Sequence, residues 1–406
     1  MNDIIVYQAG TLLAELTEQA TGQRVMRATT PGEFVSIATT AIKNGMDPIL
    51  NAMSQMWGTT IFSTRPYYAA MQGLDMSAER WANATRKLSV VSNAPANDPR
   101  FAWPVAYDAT NHSGNPLGNG ESVDMYKIQK KDVLQTVFYG QAVYSDKFTI
   151  FRDNLDVAFR SPEEFMRFNQ MNLEDRSNSL ETWKDALKHG LITNLAGALI
   201  KENDSSRVVH LATAFCTEYS ITPGADAWAA IKGANMVREF WQWTYAKMNT
   251  IAREMAVRSV KYQTSISGKP IMRHTPADAL RCYVTGQHID QIRALAIANT
   301  YNDNYLRTVD MEGVAYWQSI DSPTGINIYP VRTKTDGTVE TSDSAVTNGA
   351  VFGLMFDRDA LGFATVNEWS AVTPLNVDGG YWNDAYHANV RERQDMTEKA
   401  VVLLLD

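Results

Sequence analysis

Only two cysteines occur in the 406 residues, Cys216 and Cys282, and they form no CxxC pair. That excludes a disulfide framework and fits a reducing compartment. Basic runs are missing as well. Lys and Arg number 37 against 45 Asp and Glu, giving a net charge of −8 and a pI of about 5.4. Tight sequence-independent DNA binding needs several phosphate contacts from basic groups, and an acidic surface repels a polyanion. Direct DNA binding is therefore not expected as the main role, whereas an inert container for DNA fits this charge. Met1-Asn2-Asp3-Ile4 lacks a basic signal-peptide region, and the longest apolar stretches fall short of a membrane span. The expectation is a soluble chain made in a cytoplasm.

Chemical motifs are equally scarce. The six histidines, His112, His189, His210, His274, His288 and His387, are scattered, with no HExxH and no close pair. A zinc site would need long-range assembly. Asp303, Asp310 and Glu312 lack the spacing and glycine of a calcium loop. Ser267-Gly268-Lys269-Pro270 has no upstream glycine and no hydroxyl after the lysine, so it reads as a hairpin turn rather than a phosphate loop. No GxSxG elbow occurs. Cys216 and His210 are a nucleophile and a base on paper, but a buried free cysteine is the commoner fate. Glu163 and Glu164 suit capping and dipole roles in a first helical turn. No catalytic, cofactor-binding or metal-ligating residue is assigned, and the balance tilts toward a structural role.

What is present is a folding chain. Hydrophobic residues make up 45% and charged residues 20%, enough for two or three packing units. Ten Trp and seventeen Tyr suit either a core or a surface that meets a partner.

Along the chain, residues 1–60 give short amphipathic pieces, Leu12–Leu16 and Phe34–Ile42, too few for a domain and suited to an arm. Lys87–Val91 is strand-like, and turn clusters follow at Asn93–Pro99 and Asn111–Asn119. A long region with so little core signal suggests an extended hairpin that packs on neighbouring chains. Residues 132–151 are strand-like, broken at Gly140. Ser161-Pro162-Glu163-Glu164 starts a helix that runs to about residue 201, with Gly190 as a place to bend. A straight helix of that length spans on the order of 60 Å, more a spine than a core element. A second helix is expected at Ala234–Arg258 and a further one near Gly286–Asn299. Strands are expected at Ile326–Val331 and Val351–Phe356, and Lys399–Asp406 reads as a buried strand returning to the body. The fold class is α+β.

Several ordered segments resemble the major capsid proteins of tailed bacteriophages with the Hong Kong 97-like fold. They are Phe148–Phe159 running into Ser161–Phe165, Arg273–Pro276, Asn367–Ala371 before Thr373-Pro374, Gly379–Asn383, and Thr397–Asp406. The resemblance covers roughly residues 60–406. It implies an N-terminal arm (1–60), an extended hairpin loop (61–131), a peripheral domain with a spine helix (132–210), an axial domain including some peripheral strands (211–395), and the returning strand (396–406). It also implies hexamers and pentamers in an icosahedral shell, inside the virion and assembled in the host cytoplasm. The expected partners are copies of the chain, a portal, and scaffolding or cement proteins. The shell would enclose double-stranded DNA without specific binding and without a membrane. The chain opens on arm-like sequence with no charged coiled-coil prefix, so a separate scaffolding protein, or none, is expected. The competing readings are a portal or tail protein, and an unrecognised hydrolase.

Overall fold

A computed structural model describes residues 27, 28, 30–43, 70–76, 84–91, 132–139, 142–152, 162–224, 226–269, 271–294 and 310–406, with four isolated positions before residue 20. In chain order the elements are α1 (Pro31–Lys43), β1 (Ala84–Val90), β2 (Val133–Tyr139), β3 (Ala142–Phe151), α2 (Pro162–Glu202), β4 (Val208–His210), α3 (Leu211–Glu218), α4 (Ala227–Gly233) and α5 (Val237–Ala256). They continue with β5 (Leu280–Thr285), α6 (Gly286–Ile292), β6 (Met311–Val314), β7 (Ile326–Ile328), β8 (Val331–Thr333), β9 (Val339–Thr341) and β10 (Val346–Asn348). The last four are β11 (Val351–Asp357), β12 (Leu361–Val372), β13 (Tyr381–Gln394) and β14 (Ala400–Leu404). The fold is α+β, as expected.

The chain divides into two interleaved units. The first takes residues 1–82, 140–188 and 363–392; the second takes 83–139, 189–362 and 393–406.

In the first unit, β12, β13 and β3 form a sheet in that order, with β13 antiparallel to β3. From Tyr381 to Val390 burial along β13 alternates, with Trp382, Asp384, Tyr386, Ala388 and Val390 buried. That period of two puts one face of the sheet on a core. The early turns of α2 supply the other side: Leu180 packs with Tyr386 and Ala388, and Trp183 stacks on Tyr144 at 4.4 Å. Within this core lies a buried ion pair, Arg176 Nη2 to Asp384 Oδ2 at 2.8 Å, with the guanidinium 4.7 Å above the Phe148 ring. α1 begins with a reciprocal cap. Thr30 Oγ1 accepts from the Glu33 amide while Glu33 Oε2 accepts from the Thr30 amide, and Pro31 occupies the first helical position.

The second unit is built on a five-stranded sheet of order β4-β14-β11-β5-β6. Its centre is the pair β11 and β14, antiparallel and buried at every residue. Uninterrupted apolar runs such as Ala400–Leu404 are what a strand covered on both faces requires. The core beside it collects Phe215, Phe240, Trp241, Met248, Met255, Phe352, Val401 and Leu403. α5 contributes Phe240, Trp241, Thr244, Tyr245, Met248, Ile251 and Met255, the three-to-four spacing of one helical face.

Three expectations shift in detail. α2 continues through Gly190 as one helix of 41 residues. The expected strand Ile326–Val331 is two strands, β7 and β8, because Pro330 between them has no amide to donate to a ladder. β7 then pairs with β10, and β8 with β9. The helix expected to Asn299 is α6, ending at Ile292; residues 295–309 lie outside the described set. Ser161, and the turn clusters 93–99 and 111–119, also lie outside it.

Candidate assembly surface

The residues considered for chemistry sit apart. Cys216 is buried in α3 with its thiol toward the Ala227 carbonyl, and burial pushes that thiol's pKa up. His210 precedes α3, and its Nδ1 lies 2.7 Å from Asp406 Oδ1, not on the thiol. Cys282 is buried in β5, and burial pushes its thiol up further. His288 lies between Trp241 and Phe352, and burial lowers its pKa. His189 stacks on Tyr316 and His387 on Trp369, at 4.1 and 4.2 Å. Glu312 lies on β6 beside Tyr283 of β5. Asp303, His112 and the side chains of Glu163 and Glu164 are outside the described residues. Among the described residues no three His, Cys, Asp or Glu side chains gather as metal ligands, and no helix is long and apolar enough to cross a membrane. Ser267-Gly268 forms the expected tight turn: both residues have positive φ, 53° and 66°, and the Lys269 amide donates to the Ile266 carbonyl at 3.0 Å.

A different feature stands out, the two-stranded ribbon β1–β2 of the second unit. The strands are antiparallel in unbroken register from Ala84–Tyr139 to Val90–Val133, and the Val91 amide donates to Asp132 across the next position. Strand alternation gives the ribbon one exposed and one covered face. One face carries Arg86, Leu88 and Val90 opposite Val137, Gln135 and Val133. Its apolar members are open to solvent: Leu88 is 69% exposed, Val90 52%, Val133 56% and Val137 40%. Four β-branched or leucine side chains on one solvent face depart from the usual polar exterior of a ribbon, and such a patch marks a surface that meets a partner.

The opposite face carries Thr85, Lys87 and Ser89 paired with Phe138, Thr136 and Leu134, so half-buried apolar side chains sit there beside the charged contacts of Lys87. Lys87 Nζ lies 2.5 Å from Asp395 Oδ2 and also contacts Glu398 Oε1. Arg273 donates through Nη2 to Ser89 Oγ at 2.8 Å, and its Nε is 3.4 Å from Glu398 Oε1. Asp395 and Glu398 are buried. Burial pushes both carboxyls up. For Asp395 the Lys87 charge and hydrogen bonds from Lys87 and Thr397 outweigh burial, leaving it below its ordinary value. Glu398 stays above its ordinary value, because burial outweighs Lys87 and Arg273. Arg273 and Thr397-Glu398 belong to two of the segments that carried the family resemblance, and the fold brings them together at the ribbon.

Sequence reading found the strands but not this arrangement. The alternation of Leu88 and Val90 with Lys87 and Ser89 is visible in the sequence. Which side faces water depends on where Asp395 and Glu398 fall, about 300 positions later.

No family model matches the chain, and no curated protein does either. Solved structures do. A chain in the structure of the head fiber and inner core protein gp22 of native bacteriophage P68 aligns with a TM-score of 0.53 at 9% identity, covering 84% of this chain and 85% of that one. A chain in the capsid structure of Staphylococcus phage Andhra aligns with a TM-score of 0.49 at 9% identity, covering 84% and 88%. One in the capsid structure of the Cyanophage P-SCSP1u gives 0.40 at 10% identity, covering 84% and 90%. The chain shares its fold with the P68 chain over most of both lengths.

Proposed function

We propose that the chain is a shell subunit of a tailed-phage head with the Hong Kong 97-like fold, which assembles with copies of itself around double-stranded DNA. The observation that carries this reading is the fold shared with the P68 chain at a TM-score of 0.53. The ribbon supports it with a mechanism. In a subunit that acts alone, exposed Leu88, Val90, Val133 and Val137 have no use. In a shell they are covered by a neighbouring copy, and a modest contact is multiplied by symmetry. The net charge of −8 suits a wall that contains DNA without gripping it.

In this reading the three-stranded sheet with the early turns of α2 is the peripheral part, the five-stranded sheet with α3 to α6 is the axial part, and β1–β2 is the root of the extended loop. Residues 1–60 are the arm. The shell is built of hexamers and pentamers in the host cytoplasm, with a portal and, as needed, scaffolding or cement proteins. No catalytic step is assigned. Both thiols are buried, His189, His288 and His387 lie against aromatic rings, and His210 meets Asp406.

Negative-stain electron microscopy and sedimentation of the purified full chain test the proposal. Closed shells, or six- and five-membered rings, are expected. A twelve-fold ring would establish the portal reading instead, and a monomer that turns over a model ester substrate would establish the hydrolase.

A further inference from the structure

The step from β10 to β11 passes through Gly349 and Ala350. β10 pairs with β7 in the register Val346–Ile328, Thr347–Asn327 and Asn348–Ile326. In an antiparallel pair, successive residues turn their amides alternately toward and away from the partner strand. The Asn327 backbone is turned away, since its amide donates to Gln318 Oε1 and its carbonyl accepts from Gln318 Nε2. Thr347, its partner, is turned away too, and so is Gly349 two positions on. Gly349 is exposed, and among the described residues its amide meets no acceptor. Asn348 Oδ1 accepts from the Ala350 amide at 2.7 Å, an Asx turn that spans Gly349, while Asn348 Nδ2 has no partner among the described residues.

We propose that Asn348 is a site of spontaneous chemical modification, at which the Gly349 amide nitrogen attacks the Asn348 side-chain carbonyl and converts the asparagine to aspartate and isoaspartate.

Base from solvent removes the Gly349 amide proton. The nitrogen bonds to Asn348 Cγ, and negative charge moves onto Oδ1. The Ala350 amide already donates to that oxygen, so the charge develops against a donor in place. As the carbonyl re-forms, the Cγ–Nδ2 bond breaks, and the nitrogen leaves as ammonia with a proton from water. A succinimide ring remains. Water then adds to one of the two ring carbonyls, and the bond from that carbon to the Gly349 nitrogen breaks as the nitrogen takes back a proton. Breaking the bond to Cγ gives aspartate. Breaking the bond to the main-chain carbonyl gives isoaspartate, whose backbone runs through the side-chain carbons. Water is consumed and ammonia released, with no oxidant or reductant. Each conversion adds a negative charge just before β11, and isoaspartate also lengthens the main chain there.

Ring closure needs the backbone to swing at the Asn348–Gly349 bond. Gly349 lies outside the ladder, and nothing stands within 4 Å of where its Cβ would be. The two Asp-Gly pairs in the described chain differ, because their glycine nitrogens are engaged. The Gly337 amide donates to the Lys334 carbonyl at 2.9 Å, and the Gly379 amide to Asn376 Oδ1 at 3.3 Å. Asn44-Gly45 and Asn119-Gly120 lie outside the described residues.

The inference goes beyond the shell-subunit reading and does not rest on it. The test holds the full folded chain at pH 6 and at pH 8, with the same chain in urea as reference. Samples taken over weeks are digested at acid pH. Mass spectrometry reads the peptide containing 346–351, and an isoaspartyl-specific methyltransferase counts isoaspartate. Asn348 should convert in the folded chain, faster at pH 8 than at pH 6, with isoaspartate among the products. Gly349→Ala, for which there is room, should lose most of the conversion at an unchanged melting temperature. The proposal is overturned if Asn348 stays intact in the folded chain over the period in which it converts in urea. It is also overturned if aspartate forms without isoaspartate, since water rather than Gly349 is then the attacking group, or if Gly349→Ala converts as fast as wild type.

Discussion

Leu88→Ser separates a role in assembly from a role in folding. Leu88 is 69% exposed on the outer face of the ribbon, beside Val90, Val133 and Val137. Full burial of a leucine side chain is worth roughly 1.5–3 kcal/mol. With 69% of Leu88 still open, cover by a neighbouring chain recovers about 1–2 kcal/mol, which serine forfeits. That corresponds to roughly a 5- to 30-fold weaker association at each contact that uses the ribbon. In the isolated subunit the same change touches little, so stability should move by no more than about 0.5 kcal/mol. Sedimentation velocity over a concentration series reads the first number, and thermal melting by circular dichroism reads the second. Assembly at an unchanged concentration would refute the reasoning, as would a melting shift large enough to explain the loss by unfolding.

Three further outcomes are expected. Gly190→Ala in α2 meets nothing within 4 Å, so it should stabilise by about 1 kcal/mol through helix propensity, whereas Gly197→Ala should gain nothing or lose, because its Cβ would fall 2.6 Å from Ile328 Cδ1; denaturant titration compares the two. Asp384→Ala strands the buried Arg176 guanidinium and should cost about 3–5 kcal/mol in the same titration, far more than removal of an exposed pair such as Lys261–Glu254. Burial lowers the Lys399 ammonium from 10.5 to about 8, so the unfolded chain binds the extra proton: the contribution of this group is present above its ordinary value and is lost as pH falls toward 8. Stability of wild type relative to Lys399→Met should therefore rise between pH 8 and pH 10.5, and a flat or falling difference in melting temperature would contradict it.

What the sequence determined was local. The spacing of apolar residues marked α2 and α5 within a few positions, since a helix buries one face every three to four residues whatever it packs on. The unbroken run Ala400–Leu404 announced a strand with no wet side, and β14 is an interior strand of its sheet, between β4 and β11. The ordered segments from Phe148–Phe159 through Arg273–Pro276 and Asn367–Ala371 to Thr397–Asp406 were enough to carry the family resemblance.

Tertiary structure decided what depends on partners remote in the chain. Strand alternation gives β1 two faces but does not say which is wet; that follows from Lys87 meeting Asp395, 308 residues away. Likewise Arg176 reads as an ordinary surface residue of a helix until β13 places Asp384 against it and closes them both from water. The interleaving of the two units, with the strands after residue 363 joining β3 rather than the sheet of β11, is also invisible to any local pattern. Periodicity reports whether a side chain will be buried, because that depends on its own chemistry. Which charge it is buried with depends on the path of the whole chain.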